Sequence, residues 1–426
     1  MRTMFRLAVG LVVTSCTAVA VPAAAHAGQA AVANPAITAA PAPYFVGTPI
    51  TVTFIPDGAG TTPKKYRYSV NDGAVREVKA SSGQATIALT LTTRTSLLEV
   101  NAVGAGGTVS LGSVKYFLAM SAQPAVDKDS NGDGYPDLLI SGDPAGLGSG
   151  IWLASGDPAG SATGRLRTPA VNVGVHGPFG NDPERFDGAQ IVTGAFMGNG
   201  FTDVLAYTPN GINPGGGFFM SGTGDGSVMM THISGNEQHL SAGYMSDFNG
   251  NNPLQLTNAY NASGETEPGS LYPDLFGTIG DAVNGFNLAY YRSVGTGSFD
   301  FPAQLSNTTP TGGNDWNNWR IASLLLPSGT AMFLWNTTTG ALYLWEAVTF
   351  ADNGDWTGSA AYTQYLISAN WQINPDVTLE AADFTRDGVP DLWTVTPTGV
   401  ATAHVVSGLS ATGAAQIEAQ VSQALA

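Results

Sequence analysis

The chain has 426 residues and carries 32 acidic against 16 basic side chains, which gives a formal net charge of −16. This excess of negative charge argues against nucleic acid or an anionic membrane surface as a partner, and it suits solubility and cation binding. The 54 glycines and 25 prolines favour many short strands joined by tight turns. Composition and length therefore predict a mostly β protein with room for two domains.

Residues 1–27 have the features of an export signal. Arg2 and Arg6 precede an apolar stretch that ends in a small-residue cleavage motif at Ala27. Cleavage there predicts a secreted protein without cysteine, because Cys16 is the only cysteine of the sequence. A lipoprotein-like box ending at Cys16 keeps an alternative open, in which the chain is lipid-anchored. No later apolar run reaches the roughly 18 residues of a transmembrane helix, so none is expected.

Two segments precede the main part of the chain. Residues 28–43 are rich in Ala and Pro without periodicity, which predicts a flexible linker. Residues 44–118 show alternating apolar positions, and Asn71-Asp72-Gly73 predicts a hairpin turn, because both central positions of a type I′ turn need positive φ. The segment resembles small immunoglobulin-like β-sandwiches and is expected to be a spacer or adhesive module.

Residues 129–137 carry the most informative motif. The stretch reads Asp-Ser-Asn-Gly-Asp-Gly-Tyr-Pro-Asp and leads into an apolar run. Oxygen-bearing side chains at loop positions 1, 3, 5 and 9, glycine at 6 and a backbone carbonyl at 7 suit calcium. The predicted ligands are Asp129, Asn131, Asp133, Asp137 and the carbonyl of Tyr135. An EF-hand would have Glu in place of Ile140 and flanking helices, so this loop is predicted to enter a β-strand.

Further copies of this loop follow along the chain. The predicted ligands of the last copy are Asp383, Thr385, Asp387, Asp391 and the carbonyl of Val389. A partial copy offers Asp247, Asn249 and Asn251 as ligands, and it leaves open whether Asp274 closes that loop. The copies at 195–203 and 324–332 have lost ligand positions, so they are expected to keep the turn without the metal.

Each loop is followed by a strand, a turn and a second apolar strand, at a period of roughly 50 to 80 residues. This unit resembles the FG-GAP/VCBS repeat family, whose blades are similar to those of the integrin α-chain propeller and carry a calcium loop between strands. The resemblance covers about residues 120–410. It implies a β-propeller over residues 119–426, with five recognisable repeat units and five to seven blades, and it implies bound Ca²⁺.

Seven of the eight tryptophans fall between positions 316 and 393. Those on predicted strands are expected in the core. Trp316, Trp319 and Trp356 stand in Asn-, Asp- and Gly-rich surroundings, so they are expected to be exposed and to offer aromatic faces to a ligand.

Together these features predict a secreted, calcium-stabilised propeller that acts as a non-catalytic binding or adhesion module for an extracellular glycan or protein. The alternative is a carbohydrate-active hydrolase or lyase built on propeller loops, with Asp182, Glu184 and Asp187 as candidate carboxylates. No HExxH or Gly-x-Ser-x-Gly motif occurs, so an enzyme is the less favoured hypothesis. A purely structural envelope or spore-surface role is a third hypothesis.

Overall fold

The computed structural model describes residues 31–122, 126–174, 183–210, 214–230, 239–266 and 272–426. The predicted export signal, including Cys16, lies outside the described residues, and so does Asp182. Within the described residues the fold is all-β, as the composition predicts. Short 3₁₀ turns occur at Pro158–Thr163, Pro183–Phe186 and Trp316–Asn318. None of the helices in these ranges is long and apolar enough to cross a membrane.

The N-terminal part forms two sheets that share one core. The strands are β1 (Asn34–Ala39), β2 (Tyr44–Phe45), β3 (Pro49–Asp57), β4 (Lys65–Val70), β5 (Arg76–Lys79), β6 (Ala85–Thr90), β7 (Thr95–Val103) and β8 (Ser113–Met120). One sheet has the order β1-β3-β6 and the other β2-β8-β7-β4-β5. Alternate residues of both sheets, among them Phe54, Tyr66, Val100 and Phe117, are fully buried in the shared core.

Two details of this part bear on the sequence predictions. Asn71 and Asp72 adopt φ values of 51° and 54°, the left-handed turn that their sequence predicts. The flexible linker predicted for residues 28–43 is wrong for β1, which pairs with β3 along its whole length. Pro35 is tolerated there because β1 is an edge strand. The strand was missed because the side chains of the segment are small, so the sequence shows little alternation between apolar and polar residues.

The described residues after β8 form five consecutive units. The first unit holds β9 (Leu138–Ser141), β10 (Ile151–Ala154) and β11 (Val171–Asn172). The second holds β12 (Gln190–Gly194), β13 (Asp203–Thr208), β14 (Gly216–Gly222), β15 (Val228–Met230) and β16 (His239–Leu240). The third holds β17 (Gln255–Tyr260), β18 (Asp274–Asp281), β19 (Gly285–Tyr291), β20 (Ser293–Gly295), β21 (Ser298–Phe299) and β22 (Ala303–Leu305).

The last two units complete the chain. The fourth holds β23 (Trp319–Leu326), β24 (Gly329–Asn336), β25 (Leu342–Gly354) and β26 (Thr357–Ser368). The fifth holds β27 (Thr378–Ala382), β28 (Asp391–Val395), β29 (Val400–Ser407), β30 (Gln416–Ala419) and β31 (Gln423–Ala424). Consecutive long strands pair antiparallel within each unit.

The third and fourth units merge into one eight-stranded sheet of order β17-β18-β19-β22-β26-β25-β24-β23. The junction is a short parallel pairing of β22 with β26, in which Gln304 lies opposite Thr357. The two end strands, β17 and β23, also lie against each other, so the sheet is nearly closed. The hairpin of β25 and β26, with 13 and 12 residues, therefore reaches across from the fourth unit onto the third.

Apolar cores lie between neighbouring units rather than within them. One cluster joins the first unit to the second, and others join the second to the third, the third to the fourth and the fourth to the fifth. A further cluster joins the fifth unit back to the first, with Trp393 and Leu425 packed beside Leu138 and Leu166. The cores thus follow one another in a closed cycle.

All five units also border a common central space. Ser141, Gln190, Gln255, Arg320 and Glu380, one from each unit, line a cavity of about 220 Å³. Glu380 of this lining forms a largely buried ion pair with Lys128, with 3.0 Å between Oε2 and Nζ. The segment that enters the first unit therefore crosses this centre.

Candidate functional site

Four of the five units carry a buried aspartate at the start of the strand that follows the loop. These residues are Asp137, Asp203, Asp274 and Asp391. One carboxylate oxygen of each accepts a hydrogen bond from a backbone N–H further along the same unit. The donors are Gly156, Gly222, Ser293 and Val406, at 2.8 to 3.0 Å. The aspartate therefore ties the start of its strand to a later part of the same unit.

The loop 129–137 is held by hydrogen bonds from its own backbone. Asp129 accepts from the N–H groups of Gly132 at 2.7 Å and Gly134 at 2.8 Å, and Asp137 accepts from Ser130 at 2.9 Å. Gly132 and Gly134 adopt φ of 75° and 85°, which side chains with a Cβ rarely do. Burial, together with the nearby carboxylates of Asp129 and Asp133, raises the pKa of Asp137 to about 7.

The loop 383–391 repeats this arrangement. Asp383 accepts from Gly388 N–H at 3.0 Å, and Asp391 accepts from the Thr385 hydroxyl at 2.9 Å. Burial raises the pKa of Asp391 to about 7. The two loops are neighbours, because the guanidinium of Arg386 lies 5.0 Å from the ring centre of Tyr135.

The donor chemistry of the two loops bears on calcium binding. No group of three or more His, Cys, Asp or Glu side chains is drawn together as a metal site within the described ranges. The hydrogen bonds to Asp137 and Asp391 come from neutral N–H and hydroxyl groups. A buried carboxylate is unfavourable without a compensating charge, and a cation would supply that charge. The carboxylate, amide, hydroxyl and carbonyl oxygens of both loops are of the chemical type that Ca²⁺ takes.

The second unit balances its buried aspartate differently. Asp203 has lost the flanking carboxylates, and Arg94 of the N-terminal part supplies a positive charge nearby. Arg94 also donates its backbone N–H to Thr223 O at 2.9 Å and bonds the Ser221 hydroxyl through its guanidinium. This contact docks the N-terminal sheets on the second unit.

The partial copy, formed by Asp247, Asn249 and Asn251, does not lie where the other copies of the loop lie in their units. These residues precede β17, whereas Asp274 begins β18 beside Tyr260, at the opposite end of the strand pair. Asp274 is thus the repeat aspartate of the third unit, and it does not close the Asp247 loop. Asn251 instead bonds Asp281 at 2.7 Å, next to the following turn. In the fourth unit the predicted loop 324–332 is a tight hairpin between β23 and β24.

Two of the three tryptophans predicted to be exposed are buried. Trp316 and Trp319 are each 1% exposed and belong to the core between the third and fourth units. Their polar neighbours in sequence misled the prediction, because a 3₁₀ turn directs Trp316 inward and Trp319 begins β23. Trp356 is 49% exposed, as predicted.

Trp356 belongs to a row of three aromatic rings on the surface. The Phe248 and Phe301 ring centres are 4.3 Å apart, and those of Phe301 and Trp356 are 5.4 Å apart. Phe248 is 75% exposed. Solvent-exposed aromatic rings in contact with one another are characteristic of binding surfaces. We call the surface formed by this row and the cavities beside it the aromatic cleft.

The first cavity of the aromatic cleft has a volume of about 270 Å³. Its apolar walls are Phe301, Trp356 and the stacked rings of Tyr290 and Phe350, whose centres are 3.9 Å apart. Its polar lining consists of Arg292, Asp300, Asp352 and Asp355. The cavity thus combines aromatic faces with an excess of acidic groups.

The second cavity, of about 340 Å³, lies on the other side of the row and shares Phe301, Asp355 and Trp356 with the first. Its polar lining is rich in amides, namely Asn249, Asn284, Asn287 and Gln304. Amide side chains both donate and accept hydrogen bonds. The aromatic cleft therefore offers two contiguous compartments with different polar chemistry.

Trp356 is held in an unfavourable backbone conformation. Asp355 and Trp356 form the turn between β25 and β26, with φ of 52° and 59°. Such a turn prefers Asn-Gly, and a left-handed conformation costs a bulky residue about 1 to 2 kcal/mol. Trp356 is half exposed, so core packing does not explain its presence. Backbone strain of this kind concentrates at functional sites.

Several residues of the aromatic cleft were missed from the sequence. Phe248 lies inside the loop that was interpreted as a partial metal site, and Phe301, Asp352 and Asp355 had no motif to identify them. The one available signal is the turn 353–356, Asn-Gly-Asp-Trp, at the tip of two long alternating strands. Of the candidate carboxylates for an enzyme, Asp187 accepts from the Ser149 hydroxyl at 2.9 Å, and neither Asp187 nor Glu184 lines either cavity of the cleft.

No protein-family model matches the sequence, and no curated protein matches it. Among solved structures, a triple arginine-to-alanine mutant of AofleA from Arthrobotrys oligospora aligns with 11% identity and a TM-score of 0.30, over 76% of this chain and 83% of that one. A Bacteroides thetaiotaomicron protein provisionally described as a phosphatase aligns with 12% identity and a TM-score of 0.28, over 89% and 86% of the two chains. The central fibronectin-III array of RIM-binding protein aligns with 12% identity and a TM-score of 0.16, over 79% and 93%. TM-scores of this size do not establish a shared fold.

Proposed function

We propose that the chain is a secreted, calcium-stabilised β-propeller of five blades, of the FG-GAP/VCBS type, preceded by an immunoglobulin-like β-sandwich. The closed cycle of cores, the central cavity bordered by all five units and the repeated buried aspartate support this architecture. The two loops with three carboxylates each support calcium as a structural cofactor.

The function that this architecture supports best is non-catalytic binding of an extracellular glycan or protein at the aromatic cleft. The observation that carries the proposal is the row of Phe248, Phe301 and Trp356, in which Phe248 and Trp356 are exposed and Trp356 is held in a left-handed turn. A ring that destabilises the turn and packs little of its surface against the core is explained by contact with a ligand.

A glycan array tests the proposal, with the chain lacking residues 1–27 as the probe in the presence of calcium. The expected result is binding to a defined set of glycans, which Trp356→Gly abolishes. Tyr116→Ala is the matched control, because Tyr116 is 67% exposed on the N-terminal sheets, far from the cleft in sequence. If neither the array nor a pull-down from extracellular material yields a ligand that depends on Trp356, the proposal fails.

A further inference from the structure

We propose that the aromatic cleft recognises a cationic glycan, a polymer that contains amino sugars with free ammonium groups. A sugar ring lies against Trp356 and Phe301, and its ammonium group lies beside Asp352 and Asp355. This inference rests on the proposed binding function and names the ligand class of that same site.

The charges that line the first cavity favour a positive ligand. Arg292 is the single cation of the lining, and its guanidinium already bonds Asp300 at 2.8 Å and Glu265 at 3.0 Å. Asp352 and Asp355 are both exposed and have no ion pair within the described ranges. The cleft therefore presents two acidic side chains without a counter-charge, on a chain whose net charge is −16. Such a field attracts cations and repels anionic ligands.

The aromatic walls indicate an organic cation rather than a metal ion. A cation above an aromatic face is attracted by the ring quadrupole, most strongly for Trp. Here the rings of Trp356, Phe301 and Phe350 border the same cavity as the two aspartates. Calcium or magnesium would require a shell made of oxygen ligands alone. An ammonium group on an apolar framework uses both the carboxylates and the rings.

The second cavity favours a sugar polymer over a lysine-rich peptide. Its amides, Asn284, Asn287 and Gln304, suit hydroxyl groups, which also both donate and accept hydrogen bonds. The neighbouring strand β22 is paired on both sides, by β19 and β26, so a peptide has no free strand edge to extend at this place. Because the two cavities share Trp356, consecutive sugars of one chain reach both.

Isothermal titration calorimetry on the chain lacking residues 1–27, with calcium present, tests the inference. The probes are a β-1,4-linked glucosamine hexamer, its fully N-acetylated counterpart, a neutral glucose hexamer and a lysine-rich peptide. The glucosamine hexamer is expected to bind at least about tenfold more tightly than the other three, and its affinity is expected to fall with added salt.

Variants locate the binding in the cleft. Asp352→Asn and Asp355→Asn are each expected to weaken glucosamine binding about tenfold, and Trp356→Gly is expected to abolish it. Asp143→Asn removes one exposed aspartate of the first unit and serves as the matched control, with unchanged affinity expected. Each variant is expected to unfold thermally at nearly the same temperature as the wild-type protein, which would show that the loss of affinity does not come from a loss of folding.

Each outcome bears on one of the two proposals. Equal affinity for the N-acetylated or the neutral hexamer, lost in Trp356→Gly, overturns the cationic class while the binding function stands. Preferential binding of the peptide overturns the glycan and leaves a protein ligand. Absence of glucosamine binding also overturns the inference, and absence of any Trp356-dependent ligand in the glycan array and pull-down overturns the binding function as well.

Discussion

At the scale of single residues, the tryptophans separate into two kinds that sequence context cannot distinguish. Trp316 and Trp356 both stand among Asn, Asp and Gly, yet one is 1% exposed and the other 49%. The difference depends on which segment packs above each ring, and that segment is distant in the chain. The polar context that agreed with the exposure of Trp356 failed for Trp316, and nothing in the sequence pointed to Phe248 as the partner of Trp356.

We expect the buried and the exposed tryptophan to differ in how much each contributes to the free energy of unfolding. Trp316→Ala should lower the free energy of unfolding by about 3 to 5 kcal/mol, because it opens a cavity between two units. Trp356→Gly should change it by less than about 1 kcal/mol, because relief of the left-handed backbone offsets the lost contact with Phe301. Urea denaturation followed by circular dichroism measures both, and equal losses would contradict the assignment of Trp356 to the surface.

A second prediction concerns pH and Asp203. Burial raises the pKa of Asp203 to about 6, above the ordinary value of 3.8 that it regains on unfolding. The folded state therefore binds the proton more tightly, so this contribution to stability is complete below pH 3.8 and is lost as the pH rises through 6.

Asp203→Asn should remove this dependence. Between pH 4 and 7 the wild-type protein should lose up to about 3 kcal/mol relative to the variant. Urea denaturation of both proteins across this range measures the difference, in which titration of all other groups cancels. Parallel stability profiles for the two proteins would show that Asp203 does not titrate as described.

At the scale of elements, the sequence identified the two loops that carry three carboxylates each, but it did not show how the other units differ from them. Oxygen-bearing side chains at fixed spacing identified the loops 129–137 and 383–391 and the strands after them. The pattern failed at Asp247, because an Asp/Asn/Gly turn at the other end of a strand pair has the same composition as a metal loop. The dependable mark of the unit is the buried aspartate at the start of the strand, which recurs in four units.

Calcium should stabilise the protein through the two complete loops only. At 10 mM calcium, with dissociation constants of 10⁻⁴ to 10⁻³ M, each site should add about 1.4 to 2.7 kcal/mol. Differential scanning calorimetry with calcium and then with chelator should show this as a shift in Tm. The double variant Asp129→Asn with Asp383→Asn should lose the shift, and Asp203→Asn should keep it. A full shift in the double variant would place the metal elsewhere.

At the scale of the whole molecule, the closure of the apolar cores into a cycle of five is the feature that the sequence predicts least. Periodicity predicted strands and repeats, but the number of units that close a cycle depends on packing angles between sheets. The fusion of the third and fourth units is likewise invisible in sequence, since it rests on two residue pairs between β22 and β26. Because of this pairing, the tip of the hairpin of β25 and β26, which includes Trp356, lies over the third unit, and the aromatic cleft forms there.

The junction between the fifth unit and the first should be essential for stability. Leu425 is 1% exposed in the core of this junction, and its carbonyl accepts from Ala170 N–H at 2.7 Å. Leu425→Ala should lower the free energy of unfolding by about 2 to 5 kcal/mol. Val421→Ala, four residues earlier and 88% exposed, is the control and should change it by less than about 0.5 kcal/mol. Equal effects of the two variants would contradict a closed cycle.

The same junction is expected to form late when the chain folds. Gln423 pairs with Leu166 across 257 positions of sequence, through hydrogen bonds of 2.9 and 3.0 Å. Contacts of such range form late, because the entropy of closing the intervening chain is lost before the contact forms. Before β31 docks, the core between the fifth and first units is incomplete, and an apolar face is uncovered on each of these two units. Full protection from proteases should therefore appear only after β31 has paired with β29.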